Sequence, residues 1–451
     1  MPKPVQQPPN RAEGDVNLSP RRKQWAAEHI DKQTAALLTQ DQRYFIHQSL
    51  STPCLNAIKG SEGIYLEDLQ GRKIMDFHGN SVHQVGYGNP RVIEAIMQQL
   101  EQLPFCPRRY TNQAAVDLAR RLVDLAPHGL GKVLFAPGGT AAMGMALKLA
   151  RYATNRHKTI SMWDSFHGAS LDVISIGGEA LFRKDVGPLL PGTEHIPPPT
   201  QGKCYFNCTD EAHTGCTDYL DYILEMQGDV AAVIAEPIRW TTVELPPKGY
   251  WLRVREICDR HGVLLILDEI PSALGRTGKM FVCEHFDVAP DMLVIGKGLG
   301  GGVFPMAALL ARNQLDIVGD RALGHYTHEK SSVGCAAALA TLDCLYEDNL
   351  IQAAIDLGKY ALQRLKAMQE RYPLIHEIRG LGLYFGVELR KHGEPACDEA
   401  DTVLYHSLSN GLSYKVGGGC VLTLCPPMTI TRQQLSTALD ILESGIQSVS
   451  C

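Results

Sequence analysis

The chain has 451 residues, 45% of them hydrophobic and 20% charged, and a formal net charge of −6. A chain of that length buries a large core and is expected to divide into two or more domains. Its mild acidity leaves no basic footprint for nucleic acid or an anionic membrane, and no apolar run reaches the length of a membrane span.

Residues 1–20, rich in Pro, Gln and Asn, are expected to be mobile or draped over a partner subunit. The proline-rich, polar start over residues 1–23 is not a secretory signal, and thirteen scattered cysteines, an odd number, make no disulfide framework. The expected compartment is therefore the reducing cytoplasm. A helical pattern runs over about residues 23–38, and residues 63–68 and 73–77 read as a hairpin turned at Gln70 and Gly71. Residues 89–103 have helical periodicity with Pro90 in the first turn. From about residue 113 to 319, apolar runs such as 132–136 and 230–235 alternate with amphipathic helices. That is the rhythm of a mainly parallel sheet covered on both faces. A long alanine-rich helix follows Thr327, another covers 359–371, and segments 382–389 and 420–424 point to a smaller α+β domain.

Two apolar runs end abruptly. Residues 263–267 stop at Asp268 and Glu269, and residues 292–295 stop at Gly296, Lys297 and Gly298. Ligands of open α/β sheets collect at such strand ends. A carboxylate and a lysine on neighbouring ends are what a pyridoxal 5'-phosphate (PLP) enzyme needs: the lysine forms the Schiff base and the acid keeps the pyridine nitrogen protonated. The bland alternative, a helix cap and a surface lysine, suits a lysine between glycines poorly. Gly138, Gly139 and Thr140 follow a strand and open a helix, where bare amides and the helix dipole can seat a phosphate. Alone, such a turn is only a tight connection. Phe166, followed by His167 and Gly168, can stack on a pyridine ring or simply fill the core. Glu236 ends the strand from residue 230, and either chemistry or loop tethering would suit it. Cys204, Cys208, His213 and Cys216 lack the close dyads of a standard zinc site, and no metal is expected.

Taken in chain order, GGT at 138–140, FHG at 166–168, AEPI at 235–238 with PPKGY at 246–250, LILDEI at 265–270 with ALGRTG at 273–278, and GKGLGGG at 296–302 form one pattern. It resembles the class III aminotransferases of PLP fold type I, from about residue 40 to the C-terminus. The resemblance implies an α/β protein whose large domain carries a mainly parallel, seven-stranded-type sheet, with a smaller α+β domain built from both termini. The implied divisions are 1–80 (N-terminal part of the small domain), 81–326 (large PLP-binding domain) and 327–451 (C-terminal small domain). It also implies a homodimer with active sites at the subunit interface. Lys297 would form the Schiff base, Asp268 would face the pyridinium, and Phe166 would stack on the ring. Gly138, Gly139 and Thr140 would hold the phosphate, and Thr327 would reach the neighbour's phosphate.

The departures from that family are as informative. Thr423 stands where users of 2-oxoglutarate carry an arginine, and Arg239, Trp240 and Thr241 replace the Gln-Gly-Glu segment that gates it. Threonine cannot replace the bidentate fork of an arginine. Pro271 replaces a glutamine near the cofactor's phenolic oxygen, and Gly138 replaces a serine common in the phosphate loop. Arg239, with Trp240 beside it, and Arg108 and Arg109 are candidates for a phosphate or phosphonate oxyanion; a surface salt bridge is the competing role for each arginine. Together these features resemble a branch of class III that acts as ammonia-lyases or phospholyases on small amino alcohols bearing phosphorus groups. An eliminating enzyme needs one substrate and no amino acceptor, which suits the missing switch. The expected partner is a small aminophosphonate; the alternative is an ω-aminotransferase that uses pyruvate or a similar acceptor.

Overall fold

The computed structural model describes residues 19–48, 52–200, 204–206, 208 and 214–450; residues 1–18 and His213 lie outside them. The larger of two compact units comprises residues 90–240 and 244–351. Its strands are β1 (Leu130–Ala136), β2 (Lys158–Met162), β3 (Thr193–Ile196), β4 (Val230–Ala235), β5 (Leu264–Asp268), β6 (Met292–Ile295) and β7 (Ala307–Arg312). They form one seven-stranded sheet in the order β1-β7-β6-β5-β4-β2-β3. Only β7 runs antiparallel to its neighbours. Every residue of β4 and β6 is buried, as expected of strands covered on both faces.

The helices that matter for the site are α1 (Pro90–Gln102), α2 (Gln113–Leu125), α3 (Gly139–Thr154), α4 (Thr214–Gln227), α5 (Tyr250–His261) and α6 (Ser332–Glu347). Met143, Ala146, Leu147 and Ala150 of α3 pack on Ile234, Ile266, Val294 and Leu309 of the sheet, forming the main core. The small side chains of α6, among them Ala337 and Ala338, let it pack closely on α1 and α2. That packing puts α6 inside the larger unit. The division falls at Gln352 rather than at Thr327, and the first one at Pro90 rather than at residue 81.

The smaller unit joins both ends of the chain: residues up to Asn89, 241–243, and Gln352 onward. Strand Leu412–Ser413 pairs in parallel with Lys73–Asp76, so a C-terminal strand completes the N-terminal hairpin sheet. The helical pattern over residues 23–38 is two helices, Pro20–His29 and Lys32–Tyr44. Between them the Asp31 side chain accepts from the Thr34 amide at 2.8 Å and starts the second helix afresh.

Within this unit the Thr423 hydroxyl, on strand Val421–Leu424, donates to the Thr241 carbonyl at 2.7 Å. The buried Arg379 holds the next two carbonyls, Thr242 at 2.9 Å and Val243 at 3.3 Å, and pairs with Glu388 at 2.7 Å. One neutral, partly buried hydrogen bond thus joins Thr423 to the backbone of Thr241.

Candidate active site

Register brings the sequence motifs to one edge of the sheet. Asp268 ends β5 opposite Val294 of β6, and Lys297 follows three residues later. Ala235 of β4 pairs with Leu267, which sets Glu236 beside the same edge. Lys297 is half-buried and has a left-handed backbone with φ 48°. For a residue with a Cβ this conformation costs on the order of 1–3 kcal/mol and persists only where the surroundings enforce it.

Asp268 is 2% exposed, and each of its carboxylate oxygens accepts one hydrogen bond. The His167 Nδ1 donates to one carboxylate oxygen at 2.7 Å, and the Ile270 amide to the other at 3.1 Å. The loop carrying His167 is itself pinned. Glu236 accepts from the Phe166 amide at 3.2 Å and the Trp240 amide at 3.0 Å. The Phe166 ring is backed by Phe182 at 4.4 Å between centroids. Burial would raise the Glu236 carboxyl, but the Arg239 guanidinium, with His167 and those two amides, holds it below the usual carboxylate range. Glu236 is therefore a tether for the Phe166 loop.

Two glycines allow the phosphate-type turn to join the cluster. A Cβ on Gly139 would come 2.6 Å from Ile270 Cδ1, and one on Gly168 would come 2.4 Å from the Thr140 hydroxyl. Close approach thus locks the N-terminus of α3 to both the Asp268 strand end and the His167 loop. In front of that N-terminus there is room, since a Cβ on Gly138 would meet no atom within 4 Å. Room before bare helix amides suits a phosphate. A buried, oriented carboxylate suits a pyridinium, and a lysine at the adjacent strand end suits a Schiff base. The residues present fit PLP.

The candidate substrate cations fall elsewhere. Arg239 donates to Glu236 at 2.7 Å and Glu179 at 3.0 Å, and its side chain is only 10% exposed. It is engaged as a cross-tie between two loops. Trp240 is buried beside it. Arg108 bonds His325 at 2.5 Å and lies 3.6 Å from Glu329, so it shares a neighbourhood with the exposed Thr327. Arg109 is exposed. Pro271 is buried directly after the Asp268 strand end.

Two residues to which the sequence assigns no role matter here. The signal for His167 is a lone histidine in a loop after a buried strand. Glu269 is fully buried and accepts from the amides of Val282 at 2.6 Å and Cys283 at 2.7 Å, closing the loop after β5. Burial, only partly opposed by those amides, pushes its carboxyl up to about 7.

Residues 46–446 match the aminotransferase class-III family, and the chain belongs to it. Enzymes of this family use PLP, and so does this one. Among its relatives is the (R)-1-hydroxy-2-aminoethylphosphonate ammonia-lyase of Vibrio splendidus, 48% identical over 97% of this chain and 95% of that protein. An alanine/serine racemase of Pyrococcus horikoshii is 31% identical over 85% of this chain and 84% of its own length. A solved (S)-enantioselective omega-transaminase from Thermomicrobium roseum superposes with a TM-score of 0.85 at 27% identity, covering 92% of this chain and 98% of its own.

Replacing His167 with Ala removes a bond to a buried carboxylate, worth about 1.5–3 kcal/mol. Turnover at saturating PLP should fall about ten- to a hundredfold, read as initial rate. Glu269 gives a pH dependence. The folded chain keeps this proton up to about pH 7 and the unfolded chain releases it near 4.5. The folded state therefore binds the extra proton between those values and loses stability as the pH rises through them. Glu269→Gln should flatten that decline in urea unfolding midpoints.

Proposed function

We propose that the chain is a PLP-dependent ammonia-lyase that converts (R)-1-hydroxy-2-aminoethylphosphonate into phosphonoacetaldehyde and ammonia. The observation that carries this reading is the Thr423–Thr241 bond at 2.7 Å, standing where an acceptor-binding arginine and its gate would be. The near full-length similarity to an ammonia-lyase supports the choice of substrate. An enzyme without the carboxylate switch has no use for a second, dicarboxylate substrate, and elimination needs none.

When bound, PLP supplies a cationic ring that spreads negative charge from the carbon bearing the amine. Asp268, oriented by His167 and the Ile270 amide, would keep the ring nitrogen protonated through its own negative charge. Gly138, Gly139 and Thr140 would take the phosphate at the start of α3, and Phe166, backed by Phe182, would lie against the ring face. The Lys297 amine would serve as the base that removes the proton from the amine-bearing carbon. The neighbouring C–O bond then breaks and water leaves. The freed enamine takes up water and releases ammonia, so no net water is consumed.

In the homodimer that belongs to this proposal, the exposed Thr327 and Arg109, with Arg108, are groups offered to the partner's site. Arg239 and Trp240 hold the loop on which Phe166 depends. The setting we propose is the cytoplasm; no helix among the described residues is long and apolar enough to cross a membrane.

Incubation of the holoenzyme with the hydroxylated aminophosphonate and no keto acid should release ammonia over many turnovers, and Lys297→Ala should abolish it. A strict requirement for pyruvate, with the amino group recovered in alanine, would instead mark an ω-aminotransferase and refute the lyase.

A further inference from the structure

Away from the cofactor site, three cysteines come together, two of them following β3 in the chain and the third in α4. Cys204, Cys208 and Cys216 are all buried, and their Sγ atoms lie within 4.8 Å of one another. The Sγ atoms of Cys208 and Cys216 are 3.4 Å apart, and the Cys208 amide donates to the Cys204 sulfur at 3.0 Å. Cys216 stands in the first turn of α4, which packs on α5. Tyr250 opens α5 at 1% exposure, and its hydroxyl has no hydrogen-bond partner among the described residues.

We propose that Cys204, Cys208 and Cys216 hold a zinc ion as three thiolate ligands. Zinc bound tetrahedrally to sulfur at about 2.3 Å requires ligand sulfurs about 3.8 Å apart. The 3.4 Å between Cys208 and Cys216, and a spread of at most 4.8 Å over all three sulfurs, are within small adjustments of that value. Thiols alone are weak hydrogen-bonding groups and do not explain the convergence. An N–H donated to sulfur stabilises a thiolate.

The ion would be structural, and its reach extends towards the cofactor loop. Trp251, next to Tyr250, donates its indole N–H to the Pro237 carbonyl at 3.0 Å, within the Glu236–Trp240 turn. Pro198 and Pro199, which lead into the cysteine segment, line a small cavity with Glu236 and Arg239. A cross-link at the cysteines therefore fixes both sides of that turn.

The test is the metal content of untagged holoenzyme, purified without chelator, dialysed against zinc and then against metal-free buffer, read by plasma mass spectrometry. About one zinc per chain is expected, retained in Cys54→Ser and lost in Cys208→Ser and Cys216→Ser. Extracting the metal from the wild-type chain with a strong chelator should lower its unfolding temperature and restore three titratable thiols. Should the serine variants fail to fold, the wild-type chain decides alone. Zinc below about a tenth per chain after this treatment overturns the proposal. So does a disulfide between Cys208 and Cys216 found by peptide mapping of the untreated chain.

Discussion

The Asp268 carboxylate sits at the end of a central strand with 2% exposure, and a charge placed there is costly unless its acceptor sites are filled. His167 fills one and the Ile270 amide the other, and much of the surrounding architecture follows from keeping those two donors in place. His167 requires its loop, which Glu236 ties through the Phe166 amide and Gly168 presses against Thr140. Ile270 requires Gly139, because any larger residue at that position would collide with it. Motifs far apart in the chain are coupled because each supports one buried charge.

The same reasoning recasts Arg239. In the bare sequence it is a cation added near a cofactor and invites an oxyanion. In the fold it lies between Glu236 and Glu179, and removing it would strand a buried carboxylate. An arginine paired in this way shapes the site through the loops that carry Glu236 and Glu179. In the smaller unit, the Thr423 hydroxyl closes on the Thr241 carbonyl, and the proposed lyase reading rests on that neutral bond.

Much of this is legible in the sequence for simple physical reasons. Buried parallel strands are continuous apolar runs, and the residues that end them face the ligand; the residue pattern alone therefore puts Asp268, Lys297 and Glu236 at one edge. Features that depend on a single side chain or on distant packing are not legible. One hydrogen bond from Asp31 splits a helix that periodicity reads as continuous. Packing on α1 and α2 draws α6 into the larger unit, although it follows the expected boundary. The bond between His167 and Asp268 joins residues 101 apart in the chain and leaves no local pattern. Spacing along the chain argues against a metal at the cysteines, yet three sulfurs lie together in the fold regardless of that spacing.

The central claim is that the negative charge of Asp268, not merely its shape, drives the chemistry. Asp268→Asn keeps the shape and removes the charge. The decisive measurement is its rate of ammonia release from the hydroxylated aminophosphonate, at saturating PLP and with cofactor content verified. A lost charge that shifts the ring nitrogen by two or more pKa units, about 2.7 kcal/mol, predicts a fall of about a hundredfold or more. A variant that binds PLP and retains about half the wild-type rate, well within 1 kcal/mol, would contradict the account.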